Sequence, residues 1–345
     1  MAARAESRRQ AGGRVGGGGN YFSAPASDVD FIPTGCLLLD LALGGGWAER
    51  KVCNLIGDSS SGKTLLATEA MANFLVKYPK GKPRFRDVEE AFIPSYAATL
   101  GVPVDKIDFG KKKLLTVEDL HADIKEVTSK ARGPEIYVLD SVDALSDEAE
   151  LKREFGDATF GGNKAKKMSE LFRRIMAMIE SSQVTLLIIS QVRADIGPFS
   201  SARGTKQSGG WALRFYRSQA LYLSTKQKIY KVVHGIKKPL GINVRAFVDK
   251  NRVGLPYREA EFPILFGYGI DDVAASLNWL KGIKKLDALG IPNSIDDKAL
   301  LAIKRQYTTS DGSPEVSPEA IAAAVREHWY EIEAKILPTR KKYGG

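Results

Sequence analysis

Short, fully apolar runs alternate with amphipathic stretches between residues 34 and 268. The runs Val52–Ile56, Ile136–Leu139 and Leu186–Ser190 have no polar alternation except at Asn54 and their ends. A strand covered by helices on both faces reads in this way, because neither face meets water. The stretches Val117–Ala131 and Ser169–Ser182 carry apolar residues at helical spacing, and a further helix opens at Thr64. Strands separated by helices predict an α/β layered sheet. The later segments Ser218–Thr225, Ile229–Gly235 and Asn243–Asn251 lack helices between them and predict neighbouring or antiparallel strands that close the sheet. After Gly269 the pattern changes again. Asp271–Leu289 and Val316–Ile336 are helix-periodic, the second opened by Ser317 and Pro318 with Glu319 in its first turn. The predicted organisation is an N-terminal arm at 1–32, a core at 33–270 and a small, mainly helical C-terminal domain at 271–345. No internal repeat is evident.

Charge sharpens this division. Of the 345 residues, 51 are basic and 41 acidic, a formal net charge of +10. Residues 271–345 hold 11 of each sign, so the whole excess belongs to the first 270. That part is expected to face an anionic partner. Two cysteines and three scattered histidines build neither a disulfide framework nor a cysteine-based zinc site. No apolar run reaches the length of a membrane span, and no signal-type stretch opens the chain, so a soluble cytoplasmic protein is expected. In the arm, Arg4, Arg8, Arg9 and Arg14 precede Gly16–Gly19. It reads as a disordered leader, with ordering on nucleic acid or on a neighbouring subunit as the alternative.

The strongest chemical signal is Gly57-Asp58-Ser59-Ser60-Ser61-Gly62-Lys63-Thr64, placed between a strand and a helix. Glycines let successive backbone N–H groups curl around phosphates, and the helix N-terminus adds unpaired donors. Lys63 then reaches the outer phosphates and Thr64 offers its hydroxyl to magnesium, which implies ATP and Mg2+ as ligands. Asp140 ends the strand Ile136–Asp140, where a carboxylate supports the ion beside Thr64. A base that orients water must lie beside the terminal phosphate. Glu89 is the first candidate and Glu90 the second. Gln191 ends the next apolar strand, where its amide can bond the terminal phosphate and relay its presence to the following loop.

These stretches, taken with several others, resemble the RecA-type recombinases, the bacterial and phage branch in particular. The matching segments are PTGCLLLDLALGGG at 33–46, GDSSSGKT, DVEEAF and YAATLGV within 87–102, YVLDSVDAL at 137–145, ISQVR at 189–193, SGGWALRFYRS at 208–218 and DKNRVGLPYREAEFPILFGYGI at 249–270. The resemblance implies a RecA-like P-loop ATPase core with a mostly parallel twisted central sheet flanked by helices. It implies Glu89 as the catalytic glutamate, Gln191 as the nucleotide-sensing glutamine and Tyr96 as the aromatic that stacks on adenine. Lys250 and Arg252 match the pair that reaches the ATP of the adjacent protomer, which implies a helical filament. Two loops would face DNA. The first is Glu154–Asn163, with Phe160 as the residue inserted between bases and with Gly161 and Gly162. The second is Ala194–Gly209, with Phe199, Arg203, Lys206 and Gly209, followed by Gly210. Their Gly, Ser and Thr content is expected to leave them mobile, with basic groups for phosphates and aromatics for opened base steps. Lys164, Lys166 and Lys167 would add backbone contacts, with Arg193 and Arg217 as weaker candidates. The implied activity is DNA-dependent ATP hydrolysis coupled to strand exchange between single-stranded DNA and a homologous duplex, with single-strand-binding or loader proteins as further partners. A hexameric helicase, a regulatory paralogue and a small-molecule kinase share the phosphate loop and are the rival readings. The chain departs from the family in its basic end, LPTRKKYGG, where an acidic tail is expected, and in lacking an evident N-terminal docking helix.

Overall fold

A computed structural model describes residues 29–152, 163–194, 205–207, 210–310 and 312–339. Along the chain come β1 (Phe31–Ile32), α1 (Leu37–Leu43), β2 (Trp47–Ala48), β3 (Val52–Gly57), α2 (Lys63–Lys77), β4 (Lys82–Asp87), α3 (Pro94–Thr99), α4 (Val117–Lys130), β5 (Glu135–Asp140), α5 (Glu148–Lys152), α6 (Asn163–Ser181), β6 (Val184–Ala194), β7 (Thr205–Gln207), α7 (Gly210–Tyr216), β8 (Gln219–Val233), β9 (Ile236–Asn251), β10 (Glu259–Leu265), β11 (Gly269–Ile270), α8 (Asp272–Gly282), α9 (Asp297–Arg305) and α10 (Pro318–Ile336).

The main sheet has the order β11-β10-β9-β8-β3-β6-β5-β4, with β7 paired to β6. The strands from β8 to β4 are parallel, and β9, β10 and β11 extend them in antiparallel fashion. The apolar runs supply both faces, as period-two geometry requires. Cys53 and Leu55 of β3 pack with α1 and α2, whereas Val52 packs with α4, α6 and α7. The residues after Asp271 join the first of these clusters through Leu277, Leu280, Leu300, Ile321 and Val325. Helix starts follow the local chemistry. Thr116 and Asp119 form a reciprocal capping box on α4, and Asp271, Asp296 and Ser317 cap α8, α9 and α10.

Several sequence expectations change. The segments expected at Ser218–Thr225 and Ile229–Gly235 merge into one strand, β8 (Gln219–Val233), because Gln227 and Lys228 resume the pairing with β9 after a bulge at Lys226. The expected helix Asp271–Leu289 ends at Gly282, where Lys284 takes a φ of 58° and a 3-10 turn follows at Leu286–Leu289. The second proposed DNA loop is not all loop, since β7 pairs with the end of β6, Arg193 opposite Lys206. Beyond Leu223 β8 loses its neighbour β3, and beyond Gly241 β9 loses its neighbour β10, so the far end of the β8–β9 pair leaves the sheet as a ribbon. Residues 224–239 are exposed but for a half-buried Ile229, and Lys231 stands directly opposite Lys238. The segment 1–28 lies outside the described residues.

Candidate active site

The phosphate loop leaves β3 at its C-terminal end and enters α2 at Lys63. Two glycines are needed there. Gly62 adopts a φ of 90°, and a Cβ on Gly57 would stand 2.5 Å from the Leu223 carbonyl oxygen. The backbone can therefore lie close against the neighbouring strand β8 and leave a cradle that side chains would fill. Lys63 is buried, and its Nζ donates to the carbonyls of Gly57 at 3.0 Å and Asp58 at 2.6 Å. Burial lowers its pKa, opposed first by Asp140 and then by Glu89. Asp58, Ser59 and Ser60 are exposed along the loop, while Ser61 turns inward and donates to the Asp58 carbonyl at 2.8 Å.

Strand register assembles the rest. β6 lies beside β3 with Gln191 level with Gly57, and β4 lies beside β5 with Asp87 level with Asp140. Thr64 Oγ1 donates to Asp140 Oδ2 at 2.6 Å. Burial pushes Asp140 up to about 6, against the lowering effect of the Thr64 hydrogen bond and with help from Glu89 and Asp87. A cation arriving here would meet one hydroxyl and one carboxylate. Among the described residues no group of three His, Cys, Asp or Glu side chains could hold a metal. That donor set fits magnesium, which keeps waters and takes its other ligands from substrate phosphates.

Glu89 lies at the same end of the sheet. Its Oε1 accepts from Gln191 Nε2 at 2.9 Å and from Ser141 Oγ. The two carboxylates of the Glu89-Glu90 pair are thereby separated, since Glu90 turns outward to an exposed ion pair with Lys113 at 2.5 Å. Gln191 is further fixed by its backbone N–H, which donates to Asp143 Oδ2 at 2.8 Å. Ser141 and Asp143 were not singled out from the sequence; their only signal is their place directly after the Asp140 strand.

Tyr96, on α3, lines a cleft of about 280 Å3 with Gly62, Thr64, Ile264 and Phe266. Its walls are mostly apolar and open directly beside the phosphate loop, the arrangement a heteroaromatic base requires.

Lys250 and Arg252 are elsewhere. β9 sets Lys250 opposite Ala220, which is level with Asn54, whereas the phosphate loop departs after Gly57. Lys250 Nζ donates to the carbonyls of Arg214 and Phe215 at 3.1 and 2.7 Å, and Arg252 donates to Phe215 at 3.1 Å. Both cations thus rest on the C-terminal end of α7, where the helix dipole favours them. Burial, followed by the charges of Arg252 and Arg217, lowers Lys250 to about 8.

Of the proposed DNA contacts, Phe160, Gly161, Gly162, Phe199, Arg203 and Gly209 lie outside the described residues. Gly210 opens α7, and Arg193 and Lys206 sit in the β6–β7 pair. Lys164 donates to the Asp143 carbonyl at 3.0 Å, and exposed Lys167 pairs with Glu118 at 2.6 Å. Arg217 is a correction: it is fully buried and has no surface to offer a phosphate backbone.

Among the described residues, no helix is long and apolar enough to cross a membrane. The family described as the RecA N-terminal domain matches residues 19–271. Protein RecA of Synechococcus sp. (strain CC9902) is 38% identical over 255 residues, covering 72% of this chain and 64% of that protein. Protein RecA of Parasynechococcus marenigrum (strain WH8102) is 37% identical, with the same coverage. Protein RecA of Prochlorococcus marinus (strain MIT 9211) is 37% identical, covering 72% and 65%. The aligned part of the chain thus spans about 64% of the length of these relatives. With a matched segment that contains the phosphate loop, the Asp140 strand and the Gln191 strand, the chain belongs to the RecA N-terminal domain family.

Proposed function

We propose that this protein is an ATP-dependent DNA recombinase. It would form a helical filament on single-stranded DNA with ATP and magnesium, pair that strand with a homologous duplex and exchange strands, in the cytoplasm of a bacterial or phage-infected cell. One observation carries the reading: Gln191 holds Glu89 at the phosphate loop, and Gln191 also begins the segment leading through β7 to α7, on which Lys250 and Arg252 rest.

The residues suggest how ATP is used. The Lys63 ammonium, parked on two loop carbonyls, is free to exchange them for phosphate oxygens that carry full charge. A bound magnesium would supply charge neutralisation between the outer phosphates. Thr64 would turn its hydroxyl oxygen to that ion, whose positive field would hold Asp140 ionised against the burial that raises it. Gln191 cannot donate the same N–H to Glu89 and to a terminal phosphate. Its transfer to the phosphate would free Glu89 to accept a proton from water. The same transfer would pull on the strand leading to the second DNA loop.

Lys250 and Arg252 lie too far from their own phosphate loop in the strand register to serve it. Stacked head to tail, subunits would present both cations to a neighbour's ATP, and a head-to-tail contact that does not close generates a helix. Tight interfaces would then need the terminal phosphate, and hydrolysis would loosen them. DNA binding should be sequence-independent and weaken with salt.

The test combines protein, ATP, magnesium, single-stranded DNA and homologous duplex. Joint molecules that require homology, with filaments seen by electron microscopy, are expected. Closed rings that unwind duplex without pairing would instead establish a helicase.

A further inference from the structure

Arg217 is a buried cation whose partners join two distant parts of the proposed ATP cycle. It follows α7 directly and has no exposed surface. Its guanidinium donates to Asn54 Oδ1 at 2.8 Å and to Asp249 Oδ2 at 3.2 Å, and it also meets the Tyr222 hydroxyl. Asn54 is the one polar side chain inside the apolar strand β3. Its Nδ2 donates to Ser190 Oγ and to the Ile188 carbonyl, both at 2.9 Å. Ser190 precedes Gln191, and Asp249 precedes Lys250. A continuous chain of hydrogen bonds therefore runs from β6, one residue before Gln191, through the centre of the sheet, to β9, which carries Lys250 and is followed by Arg252.

We propose that Arg217 is a positioning residue that sets Lys250 and Arg252 for the neighbouring subunit's ATP and ties their placement to the Gln191 strand. This rests on the reading that the two cations act in trans. The physical case has three parts. An arginine pulled from water needs geometry that repays its desolvation, and a purely packing role is filled more cheaply by an apolar side chain. The planar fork directs separate N–H groups at two strands in a fixed geometry, which the point charge of a lysine does not impose. Finally, Arg217 fixes the very turn whose carbonyls hold Lys250 and Arg252, and the Arg252 N–H itself donates to the Ser218 carbonyl at 3.0 Å. Without Arg217, Asp249 loses its buried partner and becomes a competing acceptor next to Lys250, while the end of α7 loses its tie to the sheet.

Mixed filaments test this directly. Arg217→Met alone should bind a fluorescent ATP analogue within about twofold of wild type, yet hydrolyse ATP on single-stranded DNA at least about tenfold more slowly. Glu89→Gln subunits have a dead site of their own but intact Lys250 and Arg252. In an equal mixture, Arg217→Met sites facing Glu89→Gln cations make up about a quarter of head-to-tail interfaces, so hydrolysis should return to about a quarter of wild type. A mixture of Lys250→Ala with Glu89→Gln is the control. Recovery in both mixtures supports the proposal, because a general loss of structure in the Arg217 variant could not be rescued by a partner that has no working site. Recovery only in the control overturns the proposal and leaves the filament reading standing. Recovery in neither removes the in-trans reading, and the proposal with it. Wild-type hydrolysis by Arg217→Met alone also overturns it. Should that variant fail to fold by circular dichroism, Arg217→Met with Asp249→Leu removes the orphaned carboxylate, and the same outcomes apply.

Discussion

Replacing Glu89 and Glu90 separately by Gln separates two carboxylates that are adjacent in sequence but not in environment. Glu89 Oε1 receives Ser141 Oγ and Gln191 Nε2 beside the phosphate loop, whereas Glu90 lies outward against Lys113 with a φ of 56°. Glutamine at 89 keeps an oxygen that accepts both hydrogen bonds, so the fold should lose little. What disappears is the capacity to take a proton from water. Loss of a positioned base lowers turnover by about 10²–10⁴, which corresponds to about 3 to 5 kcal/mol of barrier. Glu90→Gln removes one exposed ion pair, and turnover should stay within about twofold. The assay is steady-state ATP hydrolysis with saturating single-stranded DNA and magnesium, alongside titration with a fluorescent ATP analogue to show that the nucleotide still binds. Glu89→Gln should also keep forming joint molecules, because the proposed filament needs ATP bound rather than hydrolysed. Turnover by Glu89→Gln within about fivefold of wild type would refute the assignment of the base. So would an equal loss in Glu90→Gln, since the two side chains face different surroundings.

Three further outcomes are expected. Thr64→Val removes the hydroxyl that meets Asp140 at 2.6 Å, and the magnesium concentration for half-maximal hydrolysis should rise at least about tenfold; an unchanged magnesium profile would exclude Thr64 as a ligand. Burial raises Asp40 from 3.8, and Glu69 from 4.5, each to about 7, so the folded chain keeps protons that the unfolded chain releases. The stability these groups contribute is complete below the lower values and is lost as pH rises towards 7, so the thermal midpoint in magnesium-free buffer should fall between pH 5 and pH 8, and Asp40→Asn should flatten that slope. Arg258 grips Glu333 through Nε at 2.6 Å and through its second guanidinium nitrogen at 2.5 Å, joining the start of β10 to α10, and Arg258→Met should cost about 1 to 3 kcal/mol in urea unfolding. A shift below about 0.5 kcal/mol would show that this clasp does not stabilise the fold.

The sequence made the centre of the fold legible because β3, β5 and β6 are buried on both faces and their runs admit almost no polar residue. β4 escaped notice for the opposite reason. Lys82–Asp87 looks polar, but Arg84 donates to Glu135, and Arg86 to Asp123 and the Asp108 carbonyl, so charges are buried in pairs that no hydropathy pattern reveals. α9 is short, and its Asp296-Asp297 start resembles a loop until Asp296 is seen to cap it. At the candidate site, the phosphate loop, Asp140 and Gln191 could be picked out because each sits at the end of an apolar strand. The choice of Glu89 over Glu90 depended on which carboxylate faces Gln191, and only tertiary geometry settles that orientation. The expectation that Arg217 is a weaker DNA contact needs an exposed side chain, and it is fully buried. Its burial depends on Asn54 and Asp249, which are remote in sequence.

The β8–β9 ribbon divides single strands between two physical regimes. Gln219–Leu223 lie within the sheet, mostly buried, whereas the same strand continues from Ser224 to Val233 with almost no packing beneath it. Residues 226–239 hold five lysines and no acidic residue, and the directly opposed Lys231 and Lys238 repel each other. Amide hydrogens in the inner segment should therefore exchange with solvent deuterium only when the whole sheet unfolds, on a scale of hours or longer. Those in the outer segment should exchange by local opening many orders of magnitude sooner. The boundary between the two exchange rates should fall after Leu223 on β8, where β3 stops, and only at Gly241 on β9, where β10 stops, so the two strands of one ladder should change regime at different pairs.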